Sequence, residues 1–143
     1  MRLLEIYDYK EIYENEDIVR IVSHALFNPT PGKVQSLAQG VYGKQQGKFY
    51  TAILDDKIIG IVGIKRIGAK KVEIMHIAVD EPYRGKGLGK QMIQELITEA
   101  NPKEIFLETD NDGVHFYRKC GFKTKKLPDQ GFGTDRFLCT LYV

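Results

Sequence analysis

Three glycines and three cationic side chains lie within ten consecutive positions, PYRGKGLGKQ, at residues 82–91. Glycine lets a backbone approach a bound group closely, and Arg and Lys supply positive charge. If this stretch opens a helix, the unpaired N–H groups of the first turn add donors at the positive end of the helix dipole. These residue types at this spacing favour a cradle for a phosphate group.

Three known phosphate-binding patterns compete for this stretch. A P-loop fails, because Gly85 and Gly89 are one residue too close and a glutamine replaces the hydroxyl residue. A dinucleotide fingerprint fits Gly85 and Gly87 but has Lys90 in the third glycine position, and it requires a preceding βαβ unit. The pattern [RQ]-x-x-G-x-[GA] fits Arg84, Gly87 and Gly89. A glycine-rich turn with solvated lysines is the alternative that requires no ligand.

The elements around this stretch alternate between the two hydrophobic periods of strand and helix. The alternation predicts one mixed α/β domain over residues 1–143, with a central mixed sheet flanked by helices. Strands are predicted at 2–7, 49–54, 58–67, 71–79, 105–109, 122–126 and 136–143. Helices are predicted at 9–26, with a break near the ENED cluster, and at 33–41, 88–100 and 110–120.

Composition excludes several classes of protein. The chain carries 21 Lys and Arg against 19 Asp and Glu, and a net charge of +2 argues against nucleic acid as a partner. We find no signal-peptide pattern and no window of ~20 apolar residues, which favours a cytoplasmic protein without a membrane partner. Cys120 and Cys139 lack a zinc-type spacing, so we expect free thiols and no metal.

The block at residues 49–122 resembles the GNAT superfamily of acyl-CoA-dependent N-acetyltransferases. It contains a hairpin, the strand EIMHIAV, the loop YRGKGLG, an amphipathic helix and the strand IFLET. The segment DNDGVHFYRKCGF then places Asn111, Val114 and Tyr117 on the superfamily's Asn-x-x-Ala-x-x-Tyr pattern. Val114 departs from the usual alanine, and we expect it to crowd the cofactor arm slightly.

The resemblance implies the single-domain acyl-CoA N-acyltransferase fold, with acetyl-CoA as the co-substrate. In such a fold the strand at 71–79 splays from IFLET, and its free backbone groups hold pantetheine while the glycine-rich loop holds the pyrophosphate. Asn111 either caps its helix or hydrogen-bonds the cofactor amides. The residues expected to bind the cofactor are Ile77, Ala78, Val79, Arg84, Gly85, Lys86, Gly87, Leu88, Gly89, Lys90 and Asn111.

The same resemblance implies two catalytic side chains. Tyr117 matches the position of the superfamily's proposed general acid. A phenol with a pKa near ~10 is protonated at neutral pH and can donate its proton. Glu73 resembles the base of histone-acetylating members, with a solvent-facing strand residue as the alternative. Period-two alternation places Glu73 on one face with Ile77 and Val79, and His76 on the other, unless a bulge exchanges them. We interpret His76 as a satisfied core or edge histidine.

The activity implied is transfer of an acetyl group to a primary amine by direct attack in a ternary complex. The alternative is a non-catalytic module that senses acyl-CoA or CoA. The acceptor, a small amine or a peptide or protein amine, is expected near residues 24–42 and 127–134. The apolar strand at 136–143 favours a homodimer. Candidate acceptor contacts are Phe27, Asn28, Tyr42, Asp129, Gln130 and Phe132.

Overall fold

The computed structural model describes residues 1–129, 131 and 133–143. Its strands form one mixed sheet in the order β1-β2-β3-β4-β5-β7-β6. This arrangement confirms the predicted mixed α/β fold. The strands are β1 (Arg2–Ile6), β2 (Gly47–Leu54), β3 (Lys57–Ile67), β4 (Lys71–Val79), β5 (Glu104–Thr109), β6 (Lys123–Lys126) and β7 (Phe137–Tyr142).

Helices cover both faces of this sheet, and each face has its own hydrophobic cluster. The α1–α3 face carries α1 (Lys10–Glu14), α2 (Glu16–Ser23), α3 (Pro31–Leu37) and a π-helical turn (Ala38–Tyr42). The α4/α5 face carries α4 (Leu88–Ala100) and α5 (Asn111–Lys119). The predicted break in the first helix is confirmed at Asn15, whose side chain accepts from the N–H groups of Asp17 and Ile18 at the start of α2.

The sheet opens between β4 and β5. These two strands are parallel, and only Lys71, Val72 and Glu73 of β4 have partners on β5. Beyond that point residues 74–79 and 107–109 diverge, so the facing backbone edges are not paired with each other. Since unpaired backbone groups need partners, the gap is suited to an extended ligand. The splay expected from the resemblance is therefore part of the fold.

A β-bulge interrupts β4 at the same place. Gly63 of β3 pairs with His76, whereas the next residue, Ile64, pairs with Ile74, so Met75 has no partner on β3. An inserted residue exchanges the two faces of every position beyond it. Along the second half of β4, the bulge therefore exchanges the residues that face α1–α3 with those that face α4 and α5.

The predicted alternation along β4 is wrong beyond this bulge. Ile77 and Val79 pack on the α4/α5 face, and Ala78 packs on the α1–α3 face. Glu73 pairs across the sheet with Lys65 on the α1–α3 face. Glu73 and His76 consequently lie on the same side of the sheet, opposite to the side of Ile77.

β7 lies in the interior of the sheet. It pairs with β5 along one edge and with β6 along the other, both antiparallel. The expectation that it is a free edge for pairing across a homodimer is therefore wrong. The edge strand β6 has the sequence KTKK, and lysines on an edge strand disfavour pairing with another chain.

Among the residues that the structure covers, none of the helices is both long enough and apolar enough to cross a bilayer.

Candidate active site

A cleft of about 700 Å³ opens at the splayed end of β4, between that strand, the first turn of α4 and one side of α5. Its walls are largely apolar, with cationic groups at the rim. Nine of the eleven residues predicted to bind a cofactor line this cleft, and so does Tyr117. The nine are Ile77, Ala78, Val79, Arg84, Gly85, Gly87, Leu88, Gly89 and Lys90.

The glycine-rich loop presents backbone donors to the cleft. Gly85 and Gly87 have φ near +75° and +76°, a conformation in which other residues are strained. Gly87 is the N-cap of α4 and supplies no side-chain acceptor, and the first intrahelical bond runs from the N–H of Gln91 to Gly87. The N–H groups of residues 88–90 are thus available at the positive end of the α4 dipole.

The loop is held in place and left open. Arg84 Nε donates to the carbonyl oxygen of Val79 at 2.9 Å, which ties the loop to the end of β4. A Cβ added at Gly85 or Gly87 would meet no atom within 4 Å, so the space over these glycines is free. Backbone donors, cationic side chains and a vacant approach together fit a pyrophosphate group.

Glycine is needed for a different reason at Gly89. A Cβ there would lie 3.0 Å from the ring of Phe116, so its absence lets the first turn of α4 approach α5. This close approach brings Gly113 and Phe116 of α5, and Cys120 at its C-terminal end, into the wall of the cleft, and sequence reasoning missed them as wall residues. Their contribution depends on the packing of two helices that are distant in sequence.

Tyr117 lies at the junction between this cleft and a second pocket. The residue is 6% exposed, and its ring packs edge-on against Phe116 and Phe122. Burial raises the pKa of the Tyr117 phenol well above its ordinary value, so the hydroxyl is protonated at neutral pH. Every buried side-chain oxygen or nitrogen in the described part of the chain has a partner, and we find none for this hydroxyl. The hydroxyl therefore reaches the open space.

Two of the residues predicted to bind the cofactor lie elsewhere. Asn111 is exposed and lines a separate depression with Asp112 and Asp135, and the helix is capped by Asp110, so the predicted capping role is wrong. Asp110 Oδ1 accepts from the N–H groups of Asp112 and Gly113. Lys86 does not line the cleft, and its Nζ lies 5.8 Å from the centre of the Tyr83 ring.

Val114 is also placed differently from the expectation. It is 1% exposed and packs in the core of the α4/α5 face, not in the wall of the cleft. The departure from alanine at this position therefore fills core volume, and the prediction that it crowds the cofactor arm is wrong.

The second pocket opens on the α1–α3 side of the splay and has a volume of about 150 Å³. It joins the main cleft along Ile77, Thr109 and Tyr117, which line both. Ala25, from the segment after α2, lines its outer wall. The remaining lining residues are Ile74, Met75, His76, Leu107 and Glu108.

His76 is fixed in this pocket by a buried partner. Its Nδ1 lies 2.5 Å from the hydroxyl of Tyr42, from the π-helical turn. Gly63 makes room for that contact, because a Cβ there would overlap the Tyr42 ring. One ring nitrogen of His76 is therefore satisfied, in keeping with the interpretation from the sequence, but the imidazole also lines the pocket, which the sequence pattern did not indicate. Tyr42 lies behind the histidine instead of in the wall.

The other residues expected to contact the acceptor do not line either pocket where the structure describes them. Phe27 is 87% exposed in the segment between α2 and α3. Asp129 Oδ1 accepts from the N–H of Gly131 at 2.8 Å and so stabilises a turn. Gln130 and Phe132 lie outside the described residues. Glu73 is half-buried on the α1–α3 face but does not line either of these two pockets.

Both cysteines are free thiols, as predicted. Cys139 is buried in β7, whereas Cys120 is half-buried and lines the cleft. Burial raises the pKa of the Cys120 thiol above its ordinary value, which keeps it protonated and unreactive. In the described part of the chain, no group of three or more His, Cys, Asp or Glu residues is arranged to hold a metal ion.

An ion pair anchors the end of β4 just before the loop. Asp80 is 6% exposed and accepts from Arg20 of α2 at 2.9 Å and 3.3 Å, and it also accepts from the N–H of Glu81. The Arg20 guanidinium holds the pKa of Asp80 below its ordinary value. The pair therefore fixes α2, which precedes the segment that borders the second pocket, to the end of the strand that borders the cleft.

Replacing Asp80 with Asn should destabilise the fold by about 1 kcal/mol at neutral pH. Because the pKa of Asp80 is lower in the folded state, its contribution is complete above the unfolded value of about 3.9 and disappears as the pH falls through the folded value. Thermal melting of wild type and Asp80→Asn at neutral and acidic pH measures this. The difference in Tm should shrink below pH ~4. An equal difference in Tm at neutral and acidic pH would contradict the stabilising role assigned to the Asp80 carboxylate.

Comparisons with known proteins agree with this architecture. The family described as Acetyltransferase (GNAT) family matches residues 11–122. An uncharacterized N-acetyltransferase, YvbK of Bacillus subtilis, is 32% identical over 94 residues, which are 62% of this chain and 61% of that protein. The N-alpha-acetyltransferase RimI of Mycobacterium tuberculosis is 36% identical over 72 residues, which are 46% of each chain. The matches thus span less than two thirds of either relative.

A solved structure shares the fold over nearly its whole length. A Bacillus subtilis acetyltransferase in complex with CoA superposes with a TM-score of 0.71, covering 99% of this chain and 98% of that one. The two sequences are 23% identical, so this likeness concerns the fold.

Proposed function

This chain belongs to the Acetyltransferase (GNAT) family, and from that premise we propose that it transfers an acetyl group from acetyl-CoA to a primary amine. The observation that carries the proposal is the continuity of two pockets at the β4–β5 splay. One is lined by the glycine-rich loop, and the other opens on the opposite side of the sheet; they meet at Tyr117. Release of CoA thiol that depends on an added primary amine tests the proposal.

The cofactor side of the reaction uses mostly backbone. We assign the pyrophosphate to the N–H groups at the start of α4, with Arg84 and Lys90 adding positive charge. Pantetheine would lie along Ile77, Ala78 and Val79, whose edge is not paired with β5. A backbone N–H on that edge can stabilise the oxyanion that forms when the thioester is attacked. Lys86 and Asn111 remain predicted contacts at the rim.

The chemical step breaks the C–S bond of the thioester and forms an amide bond. Tyr117 is positioned as the acid that protonates the departing thiolate, since burial keeps its phenol neutral. Glu73 remains the predicted base for the incoming amine, and it lies on the acceptor side of the sheet. Residues 1–143 would act as one domain, and we infer a cytoplasmic enzyme acting on a small amine or on a peptide or protein amine.

Direct transfer in a ternary complex predicts that Cys120 is dispensable. A Cys120→Ala variant should keep kcat within about twofold of wild type, because a protonated, half-buried thiol carries no acyl group. Initial velocities at several concentrations of both substrates should give intersecting lines. Parallel lines, together with loss of activity in Cys120→Ala, would establish an acyl-enzyme and overturn direct transfer.

A further inference from the structure

The second pocket contains an uncompensated negative charge. Glu108 is an exposed residue of β5 that lines this pocket, and within the described residues it has no Lys, Arg or His partner in an ion pair. By contrast, Glu104 on the same strand is paired with Lys71 at 3.1 Å. An unpaired carboxylate beside a cavity attracts a cation.

The same pocket contains a group that can accept a proton. Nδ1 of His76 is engaged with the Tyr42 hydroxyl, and we find no partner for Nε2 in the described part of the chain. Since no buried side-chain nitrogen there lacks a partner, Nε2 is reached by solvent. Burial lowers the pKa of His76 below its ordinary value, so the imidazole is neutral at pH 7.

The bulge at Met75 brings these two groups together. Without the inserted residue, His76 would lie on the α4/α5 face with the core, as simple alternation predicted. With it, His76 lies on the α1–α3 face. Glu108 lies on that face too, because Ile105 and Leu107 of the same strand pack on the opposite one.

We propose that Glu108 and His76 form the acceptor site: Glu108 binds the ammonium group, and His76 removes its proton in place of Glu73. The ligand class is a primary ammonium at the end of a small alkyl group. This inference rests on the proposed acetyl transfer and deepens it.

The volume of the second pocket restricts the size of the acceptor group. Pockets that enclose drug-sized ligands occupy ~300–1,000 Å³, whereas this one measures about 150 Å³. It can therefore admit the end of an alkyl chain or a single small ring, but not a fused or multiple ring system. An alkylammonium group of this shape occurs in small aliphatic amines and in lysine side chains.

The proton steps balance as follows. The ammonium gives one proton to Nε2 of His76, which passes it to solvent, and the free amine attacks the thioester carbon. As the C–S bond breaks, the thiolate takes the proton of the Tyr117 hydroxyl, and the second proton lost by the nitrogen passes through solvent to the Tyr117 oxygen and restores its hydroxyl. The net products are the amide, CoA thiol and one proton.

Tyr42 is a positioning residue in this scheme. For Nε2 to accept a proton, the neutral imidazole carries its hydrogen on Nδ1 and donates it to the Tyr42 oxygen. Burial raises the pKa of Tyr42 well above its ordinary value, so the phenol stays neutral. Its oxygen then accepts the hydrogen bond from the imidazole. Among the described residues lining the pocket, the other titratable groups that face His76 are Glu108 and Tyr117, while Glu73 lies on the same face of β4.

Steady-state kinetics with n-butylamine test the binding half of the inference. Glu108→Gln should raise KM for the amine by about tenfold or more, with little change in kcat or in KM for acetyl-CoA. Glu104→Gln, on the same strand and already neutralised by Lys71, is the matched control and should leave the amine KM unchanged. An unchanged KM in Glu108→Gln would overturn the assignment.

A pH profile tests the proton-transfer half. His76→Gln should lose about 10²-fold in kcat at pH 7, and its rate should keep rising with pH as free amine accumulates, whereas the wild-type rate levels off. Tyr42→Phe should shift the acidic limb of the profile without changing the amine KM. Wild-type profiles in both variants would overturn the role of His76.

Two further arms separate the possible failures. Thermal stabilisation by acetyl-CoA should persist in every variant, which shows that each one is folded. A lysine-containing peptide run beside n-butylamine identifies whether the alkylammonium group comes from a protein or a free amine. Faster turnover of the polycyclic amine 1-adamantanemethylamine than of both would overturn the size argument. If wild type is active and the variants match it, this inference alone fails. If wild type releases no CoA with any amine, the proposed function fails.

Discussion

A Gly87→Asp variant will lose the thermal stabilisation that acetyl-CoA gives to the wild type. Ligand at ~100 times its Kd should stabilise the wild type by about 2.7 kcal/mol, a rise of several degrees in Tm. In the variant a carboxylate occupies the open space over Gly87, where the N–H groups of residues 88–90 would receive the pyrophosphate. Repulsion between the two anions should reduce the shift to near zero.

Gly68→Asp is the matched control for this experiment. Gly68 has the same φ of +76° and the same open surroundings as Gly87, but it lies in the turn between β3 and β4, away from the cleft. Both variants should therefore lose a similar stability from a non-glycine residue in the left-handed region, about 1 kcal/mol. Only Gly87→Asp should lose the response to acetyl-CoA. Equal stabilisation of the two variants by acetyl-CoA would contradict the assignment of the glycine-rich loop as the pyrophosphate site.

Replacing Tyr117 with Phe should lower kcat by about 10²-fold and leave KM for acetyl-CoA nearly unchanged. The substitution keeps the ring that packs against Phe116 and Phe122 and removes only the hydroxyl that reaches the open space. Steady-state rates with a fixed amine measure the effect.

Tyr50→Phe is the control for loss of a buried phenol. Tyr50 is 3% exposed in the same hydrophobic cluster and does not line the cleft, and burial raises its pKa to about 12. This variant should retain wild-type turnover. If Tyr117→Phe did as well, the phenol would not be the acid.

Local signals predicted the elements that depend on neighbouring residues. The apolar period of α4, its stop at Asn101 and Pro102, and the two-residue turn at Asp55 and Asp56 are all short-range features. The loop at residues 82–91 could be assigned as a phosphate cradle because glycine spacing and charge act within one turn. The order of motifs then indicated the fold.

Long-range pairing explains what the sequence did not predict. The bulge at Met75 exists only in the register between β3 and β4, so no pattern within β4 could reveal it. The interior place of β7 likewise depends on β5 and β6. Asp110 and Asn111 are both good caps, and only the end of β5 decides which residue starts the helix.

The sequence pattern did not predict the acceptor pocket, for the same reason. His76 and Glu108 come from different strands, and their shared face follows from the bulge and from the splay together. Tyr42 reaches His76 only because Gly63 has no side chain.

Amine-dependent release of CoA thiol from acetyl-CoA tests the central claim most directly. The wild-type protein should release thiol in equal amounts with acetylated n-butylamine, or with an acetylated lysine peptide, and release should be negligible without an amine or in Gly87→Asp. A protein that acetyl-CoA stabilises but that releases no thiol with any primary amine would be a binding module, and that result would contradict the proposed acetyl transfer.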